Sequence, residues 1–220
     1  MVAGRTARPE RRPLMRLPLI ITTACVLLIA ATAWLVSAYQ RTHHDGRSSV
    51  PAVEAENRPI FTLQDTAGRQ VTDRNLHGRI NLVYFGFTTC PDVCPTELGW
   101  MVRTMRQLGP LGEAIQPVLI TVDPERDTPE KLAAYASAFH PRLLALTGTP
   151  EQIKAAADAF GVIYRKQTPV SQQPGFYLID HTMTTFVLDR DGRILHRLAS
   201  HDLSPADAAT LLRPLAGGTP

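Results

Sequence analysis

Cys90 and Cys94 are the residues of this chain best suited to do chemistry. They lie in Gly86-Phe87-Thr88-Thr89-Cys90-Pro91-Asp92-Val93-Cys94-Pro95. A thiolate attacks disulfides and binds metals, whereas a thiol does neither well. Cys-x-x-x-Cys is one residue longer than the Cys-x-x-Cys of dithiol redox enzymes. Two sulfurs at this spacing can therefore face each other or a shared ligand. If the loop is roughly helical, the two Cα atoms lie about 6 Å apart, within disulfide range. A bridge closing so short a loop adds little stability in the chain-entropy model. Two thiolates suit a soft ion such as Cu(I), whereas structural zinc normally needs four protein ligands. The chain has only three cysteines, so no second pair completes a zinc site.

Both thiols need elements to position them. Ile80-Asn81-Leu82-Val83-Tyr84-Phe85 reads as a buried strand leading into the cysteine segment. Leu98, Met101, Val102, Met105 and Leu108 recur after it at helical spacing. Pro95 fits the first helical position, and Glu97 complements the dipole in the first turn. Cys90 and Cys94 are thus expected at a strand-to-helix turn, beside the positive end of a helix that favours thiolate. Asp92, between them, either tunes the loop from outside the ligand set or simply forms the turn after Pro91.

The rest of residues 59–220 alternates in the same way. Residues 116–122 and 143–146 read as strands, and residues 128–139 and 150–160 as helices with capped starts. Residues 161–164 read as an edge strand. A strand at 185–189 turns at Asp189-Arg190-Asp191-Gly192 into 193–195, and a helix opens at Ser204-Pro205-Ala206-Asp207 and runs to Leu212. This order implies an α/β sheet covered on both faces.

Gly86 to Leu98 resembles the metal loop of the Sco/SenC family, copper chaperones of the thioredoxin superfamily that help assemble the dinuclear copper centre of cytochrome c oxidase. Thr121-Val122-Asp123-Pro124-Glu125-Arg126-Asp127-Thr128-Pro129 and Asp180-His181-Thr182 resemble two further segments of that family, in the same order. The resemblance covers about Phe61 to Leu212. It implies a thioredoxin-like fold with a central mixed sheet and flanking helices. His181 stands where thioredoxin-like chains carry a cis-proline against the dithiol. An imidazole there completes a Cys90–Cys94–His181 site, acceptable to one copper ion as Cu(I) or Cu(II). The implied partners are the copper-bearing oxidase subunit, a copper donor protein and a thiol reductant. The competing readings are a thiol-disulfide oxidoreductase whose Cys90–Cys94 dithiol reduces the oxidase cysteines and is itself oxidised to the Cys90–Cys94 disulfide, and a redox or copper sensor.

The other histidines read as ordinary polar residues: His77, His140, His196 and His201 in turn-like or surface-like contexts, His43 and His44 with Asp45 in a solvated linker. Asp123 and Asp127 flank a proline after a buried strand, and a loop with a helix N-cap at Thr128 explains them without a ligand role.

Residues 17–39 carry no charge and would be about 34 Å long as a helix, enough to span a bilayer. Five arginines and one glutamate precede them. By the positive-inside rule residues 1–16 form a cytoplasmic tail; the apolar run is long for a cleaved signal peptide, so 17–39 reads as an uncleaved anchor. Residues 40–58 read as a linker, and the domain of residues 59–220 faces the periplasmic side of the inner membrane. Cys25 falls in the middle of the apolar run and reads as a membrane-buried thiol. The net charge of +3 comes from the tail: beyond residue 16 the chain has 18 basic and 19 acidic residues. A near-neutral domain without a basic stripe excludes nucleic acid as the partner.

Overall fold

In the computed structural model of the chain, residues 27, 30–35, 57–167 and 177–217 are described. The chain divides into two units, residues 1–55 and 56–220. In the first, Leu27 and residues 30–35 are helical and exposed. Among the described residues no helix is long and apolar enough to cross a membrane. The remainder of the expected 17–39 anchor lies outside the described residues, as do the 1–16 tail, Cys25, His43, His44, Asp45 and nearly all of the 40–58 linker.

The second unit is organised on β3 (Ile80–Gly86), which is buried along its whole length. It pairs in parallel with β4 (Ile115–Thr121) on one side and antiparallel with β8 (Thr185–Leu188) on the other. Near-continuous apolar runs such as Leu82-Val83-Tyr84-Phe85 and Val118-Leu119-Ile120 are what a strand covered on both faces requires. β1 (Thr62–Asp65), β2 (Gln70–Thr72), β5 (Leu144–Thr147) and β9 (Ile194–Leu198) complete a seven-stranded mixed sheet in the order β2-β1-β5-β4-β3-β8-β9. Its flanking helices are α1 (Val93–Gln107), α2 (Pro129–Phe139), α3 (Pro150–Phe160) and α4 (Pro205–Gly217). α1 packs on α4, α2 on β5 and α3 on β1.

Three expectations need correction. The helix after the cysteine segment starts at Val93, not Pro95, so Cys94 lies inside its first turn. Proline is tolerated there because the first amides of a helix have no intrahelical partner. Residues 161–164 do not add an edge to the main sheet. Gly161 caps α3 in the left-handed conformation, φ 72°, and β6 (Tyr164–Lys166) pairs with β7 (Ile179–His181) in a separate two-stranded ribbon. The last helix continues past Leu212 to Gly217, because Leu212 and Ala216 both face the core. Caps elsewhere match the sequence: Thr128 accepts a hydrogen bond from the Lys131 amide, and Thr149 with Gln152 forms a reciprocal capping box.

Candidate metal centre

β3 delivers the chain to the site through Gly86. A Cβ there would lie 2.8 Å from Tyr84 Cε1 and 3.0 Å from Cys94 Sγ, so only glycine lets the strand end against the sulfur. Phe87 is buried, and Cys90 N–H turns back to donate to the Phe87 carbonyl at 3.3 Å. α1 then begins, carrying Cys94 at 0 % exposure, while Cys90 stays half-buried at the surface. Both are free thiols.

The amide of Cys94, at the N-terminus of α1, donates to Cys90 Sγ at 3.4 Å. A hydrogen bond from Cys94, aided by His181 and backbone amides that include Asp92's, holds the Cys90 thiol down to about 3. Cys94 is pushed up instead, first by serving as that donor to Cys90 and then by burial. The pair thus holds one proton, on the buried sulfur, and leaves the half-buried Cys90 sulfur as thiolate. Tyr84 Oη approaches Cys94 Sγ at 3.9 Å, and burial beside the sulfurs keeps its phenol protonated well above the ordinary range.

β7 supplies His181 from across the site. Its Nε2 is 3.5 Å from Cys94 Sγ, and its Nδ1 is 3.2 Å from the Thr182 carbonyl. A carbonyl can only accept, so Nδ1 carries a proton, and Nε2 is the ring nitrogen that faces the sulfurs. Tyr84 and Phe87 hold the imidazole edge-on, with ring centroids 5.9 and 5.8 Å away. The two sulfurs and one imidazole nitrogen all lie within 4.8 Å of one another. Among the described residues this is the one cluster of three or more His, Cys, Asp or Glu side chains close enough to hold an ion. Its soft, low-coordinate donor set suits a thiophilic ion of low coordination number.

The remaining candidates lie elsewhere. Asp92 is exposed at the N-cap of α1, where its side chain makes no capping bond; its backbone, not its carboxylate, reaches Cys90. His140 Nδ1 accepts from the Arg142 amide, and His201 stands exposed beside Asp202. His77 and His196 join no cluster.

Sequence reasoning passed over the residues behind the site. Glu97 does not face solvent as a dipole partner. It is 1 % exposed and accepts from the Ser200 amide at 2.8 Å and Thr185 Oγ1 at 3.3 Å. Asp123 and Asp127 are equally buried. Their spacing around Pro124 looks like a turn; the signal available was that both follow a strand with an apolar run at 117–120, whose end is buried.

The SCO1/SenC family model matches residues 51–216. The chain belongs to the SCO1/SenC family. A SCO2-like protein of Rickettsia felis is 39 % identical over 153 residues, 70 % of this chain and 74 % of the relative. The mitochondrial SCO2 homolog of Bos taurus is 38 % identical over 193 residues, 86 % and 71 % of the two chains. Among solved structures, copper-bound ScoI of Bradyrhizobium japonicum aligns with TM-score 0.65 at 36 % identity, covering 72 % of this chain and 98 % of that one. Copper-bound yeast Sco1 aligns with TM-score 0.66 at 32 % identity, covering 74 % and 90 %. The second unit of this SCO1/SenC protein accordingly has a thioredoxin-like fold, with a mixed central sheet and flanking helices.

Proposed function

We propose that this chain is a copper chaperone that binds one copper ion through Cys90, Cys94 and His181 and delivers it to the dinuclear copper centre of cytochrome c oxidase. The observation that carries the reading is the meeting of two sulfurs and one imidazole nitrogen within 4.8 Å, 87 residues apart in sequence. The solved copper-bound relatives of similar fold support copper as the cargo. Cys90 is already a thiolate, Cys94 supplies the second sulfur on losing its proton, and His181 offers Nε2 from the opposite wall. A half-buried Cys90 gives a partner's own Cys and His ligands a way in, so the ion passes by ligand exchange without catalytic turnover. Residues 17–39 act as an inner-membrane anchor with the 1–16 tail cytoplasmic, and the 40–58 linker holds the 59–220 domain in the periplasm, near the copper-bearing oxidase subunit, a copper donor and a thiol reductant.

The second reading, reduction of the oxidase cysteines, is favoured by the division of labour within the pair. A half-buried, low-pKa Cys90 can attack a target disulfide, and Cys94, on losing its proton, can then attack Cys90 Sγ and release the target thiolate. Cys90 and Cys94 are oxidised to a disulfide as the target gains two thiols.

Anaerobic addition of Cu(I) to the reduced domain tests the first reading. One copper per chain is expected, lost in Cys90→Ser and Cys94→Ser, and absent from the oxidised domain until reductant restores both thiols. Equal uptake by a domain with no free thiols would overturn the site.

A further inference from the structure

Asp127 is 1 % exposed, and among the described residues no cation pairs with it. Its carboxylate accepts from Thr88 Oγ1 at 2.5 Å, Thr88 N–H at 3.1 Å and Thr121 Oγ1 at 2.6 Å. A buried carboxylate satisfied wholly by neutral donors is costly unless those donors are held in place, and each such bond is charge-assisted and strong. Thr88 opens the cysteine loop, two residues before Cys90. Asp127 therefore ties that loop to the end of β4.

The other end of the same turn grips the opposite side of the site. Arg126 Nε pairs with buried Asp123 at 2.5 Å, and Arg126 Nη1 donates to the Tyr177 carbonyl at 2.8 Å. Tyr177 Oη donates to Asp123 Oδ1 at 2.6 Å, and the guanidinium carbon lies 3.5 Å from the centre of the Tyr177 ring. Tyr177 precedes His181 by four residues and leads directly into β7. The turn is itself stiff: Asp123 N–H donates to Thr121 Oγ1, and the Arg126 and Asp127 amides both donate to the Asp123 carbonyl.

We propose that the Asp123–Asp127 turn is a two-armed brace, with Asp127 as the positioning residue for the Cys90–Cys94 loop and Arg126 as the positioning residue for the segment carrying His181. One short turn thereby sets the separation between sulfur and imidazole. The brace presupposes the Cys90–Cys94–His181 ligand set proposed above. Neither Asp127 nor Arg126 touches the ion; Asp127 acts through Thr88, and Arg126 through Tyr177 and through the Phe87 ring, whose centre lies 5.8 Å from the guanidinium carbon. Asparagine at 127 is isosteric but replaces one acceptor oxygen with a donor that faces donors, so the loop loosens while the fold persists.

The test uses reduced Asp127→Asn, Thr88→Val, Thr88→Ser and Arg126→Lys beside wild type, with unfolding midpoints recorded for each. In copper-free protein, Cys94 alkylation by iodoacetamide, followed by peptide mapping, is expected to quicken about tenfold in Asp127→Asn and Thr88→Val, because a loosened loop opens the buried sulfur. Thr88→Ser, which keeps the hydroxyl, should restore the wild-type rate. Copper affinity, read by chelator competition, should fall by about 10–100-fold in Asp127→Asn. Arg126→Lys should leave Cys94 alkylation unchanged while altering the imidazole nitrogen hyperfine splitting of the Cu(II) form. Cys94 rates within about twofold of wild type in both Asp127→Asn and Thr88→Val would overturn the cysteine arm. Unaltered hyperfine splitting in Arg126→Lys would overturn the histidine arm. Wild-type protein that takes up no copper, with Cys94 still unmasked by Asp127→Asn, would sink the copper reading and uphold the cysteine arm.

Discussion

His181 Nε2 lies 3.5 Å from Cys94 Sγ, although the two residues are 87 positions apart and belong to different sheets' worth of structure. α1 follows β3 of the central sheet, whereas β7 belongs to the small ribbon it forms with β6. The site is therefore a product of the completed fold.

Removing the imidazole should separate metal chemistry from sulfur chemistry. His181→Ala is expected to weaken copper binding by at least about tenfold while leaving the Cys90–Cys94 disulfide able to form. Chelator competition and a free-thiol count on the same sample measure the two. Unchanged affinity would remove His181 from the ligand set.

The two thiols should titrate apart. With Cys90 held down to about 3 by its hydrogen bond from Cys94, it stays thiolate as pH falls. Its alkylation rate should change less than about twofold between pH 8 and pH 5, where an ordinary thiol slows about tenfold per unit. The rate should collapse only as pH approaches about 3. Peptide-resolved alkylation of the reduced domain reads this directly, and an ordinary profile for Cys90 would contradict the shared-proton arrangement.

Metal loading should release one thiol proton. Cys90 has none to lose at neutral pH, whereas Cys94 is held protonated by its bond to Cys90 and by burial. Affinity for Cu(I) should therefore rise about tenfold per pH unit between pH 7 and 8, against about a hundredfold for two ordinary thiols. Titration calorimetry in buffers of different ionisation enthalpy counts the protons.

Gly86→Ala should damage both fold and site. The new Cβ would sit 2.8 Å from Tyr84 Cε1 and 3.0 Å from Cys94 Sγ, and neither buried group has room to retreat. Overpacking of this kind costs about 1–3 kcal/mol. For a domain of this size that lowers the melting temperature by several degrees, about 2–4 °C per kcal/mol. A variant melting within a degree of wild type would show that the strand end can shift.

Much of this was legible in the chain. The apolar runs of β3 and β4, the capped starts of α2 and α3 and the strand–cysteine–helix order follow from local periodicity and capping chemistry. The Cys-x-x-x-Cys spacing marked the thiol pair, and the resemblance of Asp180-His181-Thr182 to the family's histidine segment pointed to His181 as its companion. What was not legible depends on long-range burial. Glu97 reads as a dipole partner at a helix start, and only Thr185 and Ser200, 88 and 103 residues away, make it a buried acceptor. Asp127 reads as a turn residue until Thr88 is brought to it across 39 residues. The 161–164 edge strand was misplaced, and β7 passed over, because strands of three residues are too short to carry a periodic signal.

β3 has one neighbour, β4, that follows shortly and another, β8, that arrives about a hundred residues after it. During synthesis the chain emerges from its N-terminus, so both cysteines are present long before His181. Closing so long a loop is an entropic cost met late in folding. Copper therefore cannot template this domain in the way that zinc nucleates a small finger. The newborn thiols meet oxidants and stray metals alone, and the order of the strands makes protection of Cys90 and Cys94 a matter of timing as well as of chemistry.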